Sequence, residues 1–303
     1  MTTTARKPLA LVLALALVLI WGSNYSVLKA AMAHIGAQGV IFLRYLITPA
    51  CAAAVLWWRY GLHWPRLKRE DWLPLIGLTL LGHVAHVTVM THAMDLSTPF
   101  SSALISACGP VFTLVIVRVV WKHRVARIQA LGVALALLGV LVFVSDKITG
   151  PKAQSLGDLL LLAGAVLFSS HTVAAGGMIR RHGSLVVLAY TTFLATLPLL
   201  LINTPVAMQV AWSGLSPGMW LALAWSLAIA SFFGWLIWGW LNEELGVPRC
   251  APLLYLLPPV AGVISWFALG ESFGPVKVAG AALAILGVAA AQFGSANTHS
   301  RAS

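Results

Sequence analysis

Polar and titratable side chains inside long apolar runs carry the first chemical information in this chain. Trp21, Asn24, Tyr25 and Lys29 recur at helical spacing, so they share one stripe of a first helix. Trp21 falls near the middle of its run, where an interfacial aromatic belt does not explain it. The stripe either lines a cavity or makes polar contacts between helices. Arg44 lies in the next apolar run, and His83 and His86 sit mid-run in a third, with Met90 on their face. His171 occupies the centre of a later run. Histidine exchanges a proton near neutral pH, so these imidazoles could bind protons or simply hydrogen-bond between helices. Haem or metal ligation by His83, His86 and His171 is a weaker alternative, because an i,i+3 pair without a further ligand cluster is not a metal motif. Ser106 and Tyr255 add hydroxyls, while Pro110 and Pro258 permit bends by removing a backbone donor.

These groups need a membrane around them. Of the 303 residues, 60% are hydrophobic and 9% charged, against about 25% charged in a soluble globule. Ten apolar segments can be placed, at about 9–31, 38–58, 71–93, 97–121, 126–145, 157–179, 184–203, 217–240, 246–269 and 275–294. The expected fold is an all-α integral membrane protein of ten transmembrane helices. The apolar run after Arg6 and Lys7 has a signal-peptide look. It continues into WGSNYSVLKAAM and is long enough to span, so it is taken as the first helix.

The cations alternate between turns. One set holds Arg6, Lys7, Arg59, Arg66, Lys68, Arg69, Lys122, Arg124, Arg127, Arg180, Arg181, Arg249 and Arg301. The other set holds Lys147, Lys152 and Lys277. The positive-inside rule then puts both termini in the cytoplasm, in a multi-pass plasma-membrane protein. The net charge of +11 is spent on these turns, so nucleic acid is not an expected partner.

The chain also repeats itself. Pro110, Gly132 and Gly139 recur as Pro258, Gly280 and Gly287 at one constant offset near half the chain, and Trp72 recurs as Trp220. Residues 1–150 and 151–303 therefore form two five-helix repeats. Five is odd, so the repeats are inverted, and His123 lies inside where its counterpart Glu271 lies outside. Such a repeat places a small-molecule site near the midplane between the halves. The glycines let helix backbones approach at an interface.

Taken together, WGSNYSVLKAAM, FLRYLI, TPFSSALISACGPVF and IQALGVALALLGV resemble one repeat of the EamA-type drug/metabolite transporters. APLLYLLPPVAGVISWFALGES and VKVAGAALAILGV resemble the second. The resemblance implies a ten-helix inverted repeat, a central cavity and export of small metabolites. The family often places an acid–base pair where Glu271 stands, but the first copy reads Lys122-His123-Arg124.

The expected function is thus secondary transport, with export of amino acids or amphipathic compounds by alternating access. Trp21, Asn24, Tyr25, Arg44, His83, His86, Ser106, His171 and Tyr255 are the expected substrate contacts, and Pro110 and Pro258 the hinges. Protons are a candidate coupling ion, no cofactor or metal is expected, and the state is monomer or homodimer. The alternatives are a lipid-modifying membrane enzyme and a haem-binding membrane protein. Lys29 is expected to snorkel outward. Arg44 is expected to meet Asp95, helix-end carbonyls or a substrate carboxylate. Glu271 is expected to face outer water. Cys51, Cys108 and Cys250 are read as packing residues.

Overall fold

Lipid offers no hydrogen bonds, so each apolar run must satisfy its own backbone, which a helix does. The computed structural model describes residues 3–120, 126–145, 152–245 and 251–299, with side chains over 9–120, 126–145, 152–241 and 253–292. Every regular element among them is helical. In chain order they are α1 (Thr3–Tyr60), α2 (Arg69–Leu96), α3 (Pro99–Val120), α4 (Arg127–Ser145) and α5 (Lys152–His182). Then come α6 (Ser184–Ala207), α7 (Pro217–Leu241), α8 (Leu253–Leu269) and α9 (Pro275–His299). Among the described residues eight helices are long and apolar enough to cross a bilayer, and α8 is a shorter apolar helix. No more than 39% of any apolar window is buried within the protein. The rest, including Leu11, Trp58, Leu131, Leu197, Leu221 and Phe267, is exposed on the bundle surface and suits contact with lipid.

The expected gap between the first two segments narrows to one residue. Helical hydrogen bonding runs through α1, and only Gly36 leaves helical geometry, at φ 66° and ψ 172°. A side chain is strained there and glycine is not. Two helix starts follow local rules. The Thr98 hydroxyl accepts from Ser101 N–H at 3.3 Å ahead of Pro99. The Ser216 hydroxyl accepts from Met219 N–H at 3.2 Å ahead of Pro217. Each puts proline in the first turn, where its missing N–H costs nothing. Pro110 and Pro258 also sit at interruptions. α3 divides at Cys108, and the α-helical part of α8 starts at Leu257 after a 3₁₀ stretch, Ala251–Leu256.

The recurring glycines meet one another. α4 and α9 run antiparallel with their backbones in contact. A methyl at Gly132 would lie 2.3 Å from the Ala291 nitrogen, and one at Gly139 2.2 Å from that of Ala284. In return, Gly287 faces the Ala136 nitrogen at 2.1 Å and Gly280 the Phe143 nitrogen at 2.4 Å. α2 and α5 use the same device, with Gly82 against His171, Gly164 against Met90 and Gly157 against Leu96. The second arm of α1 packs on α6 through Ile41, Tyr45, Ala195 and Leu199. Its first arm meets α7 through Leu28, Ala31, Leu223 and Leu227, and meets α8 where Gly22 admits Val260.

The obstacle at Gly287 is backbone, which no rotamer change removes. Gly287→Ala should therefore lower stability by roughly 1–3 kcal/mol, as overpacking does. Gly77→Ala, which meets nothing within 4 Å, should be neutral. Thermal unfolding of the two purified variants in detergent checks the contrast.

Candidate functional site

Two helices widen into π-helix, at Leu80–Val87 in α2 and Trp225–Phe233 in α7. The two stretches overlap under the repeat register that pairs Trp72 with Trp220. A π turn inserts a residue and redirects side chains, and it recurs at functional sites. Period and composition carry no clear mark of it, so the sequence reading missed both.

The first π stretch carries Gly82, His83 and His86. His83 Nδ1 lies 2.8 Å from the Tyr45 hydroxyl and Nε2 lies 3.2 Å from Thr191 Oγ1. Thr191 donates its own proton to the Val187 carbonyl at 2.7 Å. It must then accept from His83 Nε2–H, which leaves Nδ1 to accept from Tyr45. His83 is thus a neutral imidazole with both nitrogens satisfied, joining α1, α2 and α6. His86 Nδ1 donates to the Gly164 carbonyl at 2.9 Å, so its Nε2 keeps a lone pair. His171 rests on Gly82, where a methyl would come 2.3 Å from its Cδ2. Its Nε2 is buried without a hydrogen-bond partner. Arg44, next to Tyr45, is half-buried and within electrostatic reach of His83 and His86.

An aromatic row continues from this cluster. His86 lies 5.2 Å from the Phe168 ring, Phe168 5.8 Å from Trp235, and Trp235 5.3 Å from Trp21. Trp21 Nε1 donates to the Ala230 carbonyl of the second π stretch at 3.0 Å, and Gly234 makes room for the indole. Trp21, His83, His86 and His171 are therefore linked through contacts, and Arg44 lies within electrostatic reach of His83 and His86. Trp235 joins them, although its sequence left cavity and lipid equally open.

The other expected residues make contacts of their own. Tyr25 faces Ser106 across α1 and α3. Asn24 Oδ1 is buried and unpaired. Tyr255 packs among Phe100, Leu104, Cys108 and Phe143, with its hydroxyl unpaired.

Three charged residues carried stated expectations, and Glu271 departs from its own. Lys29 extends to the end of α2 and lines the cavity there. Its ammonium donates to the Met94 and Asp95 carbonyls, at the end of α2 where a cation offsets the helix dipole. Arg44 forms no ion pair with Asp95. Glu271 does not face water, since its side chain is 8% exposed. It bonds Lys277 at 2.8 Å and accepts the Phe100 N–H at 3.3 Å. The Lys277 ammonium also lies over the rings of Phe100, Phe143 and Phe273, at 5.2–5.7 Å. The family resemblance implied an acid–base pair near Glu271, but only the packing of α3 and α9 encloses it. His123 lies outside the described residues. At the opposite end Asp71 is buried and paired to Arg181 at 2.9 Å and to His182 at 3.0 Å, which ties α2 to α5.

A cavity of about 510 Å³ lies beside the Glu271 pair, lined by Lys29, Ser97, Thr98, Gln154, Glu271 and Lys277 among others. Among the described residues no cluster of histidine, cysteine and carboxylates is placed to hold a metal. Cys51 and Cys108 are free thiols.

Comparison with known proteins adds an independent finding. The profile of the EamA-like transporter family matches residues 8–145 and again 155–291. A probable terminal-alkyne amino-acid exporter of Streptantibioticus cattleyicolor is 28% identical over 89% of each chain. A probable amino-acid metabolite efflux pump of Salmonella typhimurium is 26% identical over 93% of this chain and 94% of its own. A crystal structure with 19% identity superposes with a TM-score of 0.61, covering 94% of this chain and 97% of that one, and so shares the fold.

Burial alone would raise the Glu271 carboxyl. The Lys277 ammonium beside it and the hydroxyls of Thr98 and Ser265 outweigh burial and hold it below its ordinary 4.5. A carboxyl depressed by folding stabilises fully above 4.5, and that contribution disappears as pH falls through the lowered value. Glu271→Gln should cost about 3–5 kcal/mol at pH 7, because it leaves Lys277 buried without its counter-charge. The gap to the unaltered protein should shrink progressively below pH 4.5, as read by thermal unfolding across a pH series.

Proposed function

The chain belongs to the EamA-like transporter family, and from that premise we propose that it exports small organic metabolites by alternating access. The observation carrying this reading is the cluster of Arg44, His83, His86, His171 and Trp21. It is built from α1, α2, α5, α6 and α7, and so from both matched segments. Polar groups this numerous inside a lipid-bounded bundle are costly unless they serve a path.

Ten crossings follow from length. The 52 residues Leu9–Tyr60 extend about 78 Å at 1.5 Å per residue, more than twice a hydrocarbon core of about 30 Å. We take α1 as two crossings that meet at Gly36, and α8 as the ninth of ten. Residues 1–150 and 151–303 are then the two repeats. The antiparallel contact of α4 with α9, its repeat equivalent, supports their inversion. The distribution of lysine and arginine supports cytoplasmic termini in the plasma membrane.

In this reading one half rocks against the other, and the interruptions at Pro110 and Pro258 absorb the bending. Asp71 with Arg181 and His182 closes the cytoplasmic end, and Glu271 bonded to Phe100 N–H tightens the outer end. Tyr25, Asn24, Ser106 and Tyr255 complete the polar lining. His171, with a buried unpaired nitrogen, and His86, whose Nε2 keeps a lone pair, are the groups through which a proton would couple to transport. Two relatives bear names that refer to amino-acid export, so amino acids are the first solutes to test.

Purified protein in vesicles loaded with a mixture of amino acids and their derivatives should release some of them several-fold faster than protein-free vesicles. Mass spectrometry of the exterior reads this, and no accelerated release of any solute rejects the reading. Reporter fusions at the two termini should both report cytoplasm, and an opposite-side result for either rejects inversion with ten crossings.

A further inference from the structure

Among the described residues Arg44 is a cation near the bundle interior with no anionic partner, whereas three others have partners. Lys29 caps the end of α2, Lys277 pairs with Glu271, and Arg181 pairs with Asp71. Arg44 has no carboxylate paired to it among the described residues, and its electrostatic neighbours are Tyr45, His83 and His86. His83 is already saturated by Tyr45 and Thr191. A guanidinium within a lipid-bounded bundle needs a counter-charge, and its planar fork of donors matches a carboxylate in particular. On the same π stretch as His83, His86 Nε2 retains a lone pair, and His171, packed on Gly82, has a buried and unpaired Nε2.

From His86 the rings of Phe168, Trp235 and Trp21 follow at centroid separations of 5.2, 5.8 and 5.3 Å. A planar apolar body stacks on such a row at little entropic cost, because the rings are already held by one another and by the Trp21 bond to Ala230.

We infer that the site selects organic carboxylates with a flat, aromatic body: Arg44 takes the carboxylate, and the Phe168–Trp235–Trp21 row takes the ring. This rests on the transport reading above and narrows its substrate class. Neutral amides of the same shape lack the charge that Arg44 requires. Aromatic amines bring a second cation into a site that holds no anion. A phospholipid phosphate could answer the same guanidinium, so the test must separate lipid from solute.

The experiment is equilibrium dialysis of purified protein with four probes: phenylacetate, phenylacetamide, phenethylamine and acetate. Phenylacetate should bind at least tenfold more tightly than each of the others. The amide isolates the charge and acetate isolates the ring. Arg44→Gln should abolish the preference of phenylacetate over phenylacetamide, and Arg44→Lys should retain part of it. Should Arg44→Gln fail to fold, the ratio in Arg44→Lys decides, since a lysine keeps the charge without the planar fork.

Equal binding of phenylacetate and phenylacetamide, equal binding of acetate, or an unchanged ratio in both variants would overturn the inference. Absence of phenylacetate binding at millimolar concentration would do the same. Binding in phospholipid-free micelles that vanishes in phosphatidylglycerol nanodiscs would assign Arg44 to lipid phosphate, and the inference falls. Dialysis measures binding alone, so failure of the vesicle-release assay would reject transport while leaving these ratios intact.

Discussion

Two helices that touch backbone to backbone hold the rest of this molecule in register. In water, burial of apolar side chains would drive helices together, but lipid removes most of that drive. What remains is close van der Waals contact, which needs the helix axes near one another. Gly132 and Gly139 on α4, with Gly280 and Gly287 on α9, supply that approach reciprocally. The helices carrying these glycines also flank the enclosure of Glu271 and Lys277, because Phe143 of α4 and Lys277 of α9 are parts of it. The seam therefore links the packing of the repeats to the charged contact at one end.

Many polar groups within the bundle are satisfied within their own helix. Serine and threonine hydroxyls return to carbonyls one turn back, as at Thr48, Thr79, Thr91, Thr192 and Thr204. Such bonds settle the hydroxyl without a partner helix. Asn24, Ser106 and Tyr255 keep unpaired atoms, and a separate group of polar side chains gathers where α1, α2, α5, α6 and α7 converge. There His83 exchanges bonds with two other helices, whereas His171 keeps an unsatisfied nitrogen and Arg44 lacks an anion. That uneven satisfaction separates the structural histidine from those with capacity for a ligand.

The π stretches in α2 and α7 serve this convergence. In α2 the stretch holds Gly82, which receives His171, together with His83 and His86. In α7 it supplies the Ala230 carbonyl that orients Trp21. A continuous α-helix would have turned the following side chains elsewhere. Similar local distortion thus occurs once in each of the two matched segments.

Composition, the spacing of apolar runs and the recurrence of proline and glycine were enough to establish a helical membrane chain of the EamA type. Those features depend on solvent and on period, both of which are written along the chain. That Trp21, Arg44 and the three histidines stand out within apolar runs was also legible, because a polar group there is conspicuous at any depth. Partners were not. That Lys29 turns to the end of α2, that Glu271 is enclosed with Lys277, and that Tyr255 sits apart from the histidines all depend on which helices meet. The saturation of His83 by Tyr45 and Thr191 joins residues up to 146 positions apart in α1, α2 and α6. No local pattern encodes such a meeting, since it is settled by glycine-sized gaps and ring shapes when the helices pack, and the tertiary structure alone decided it.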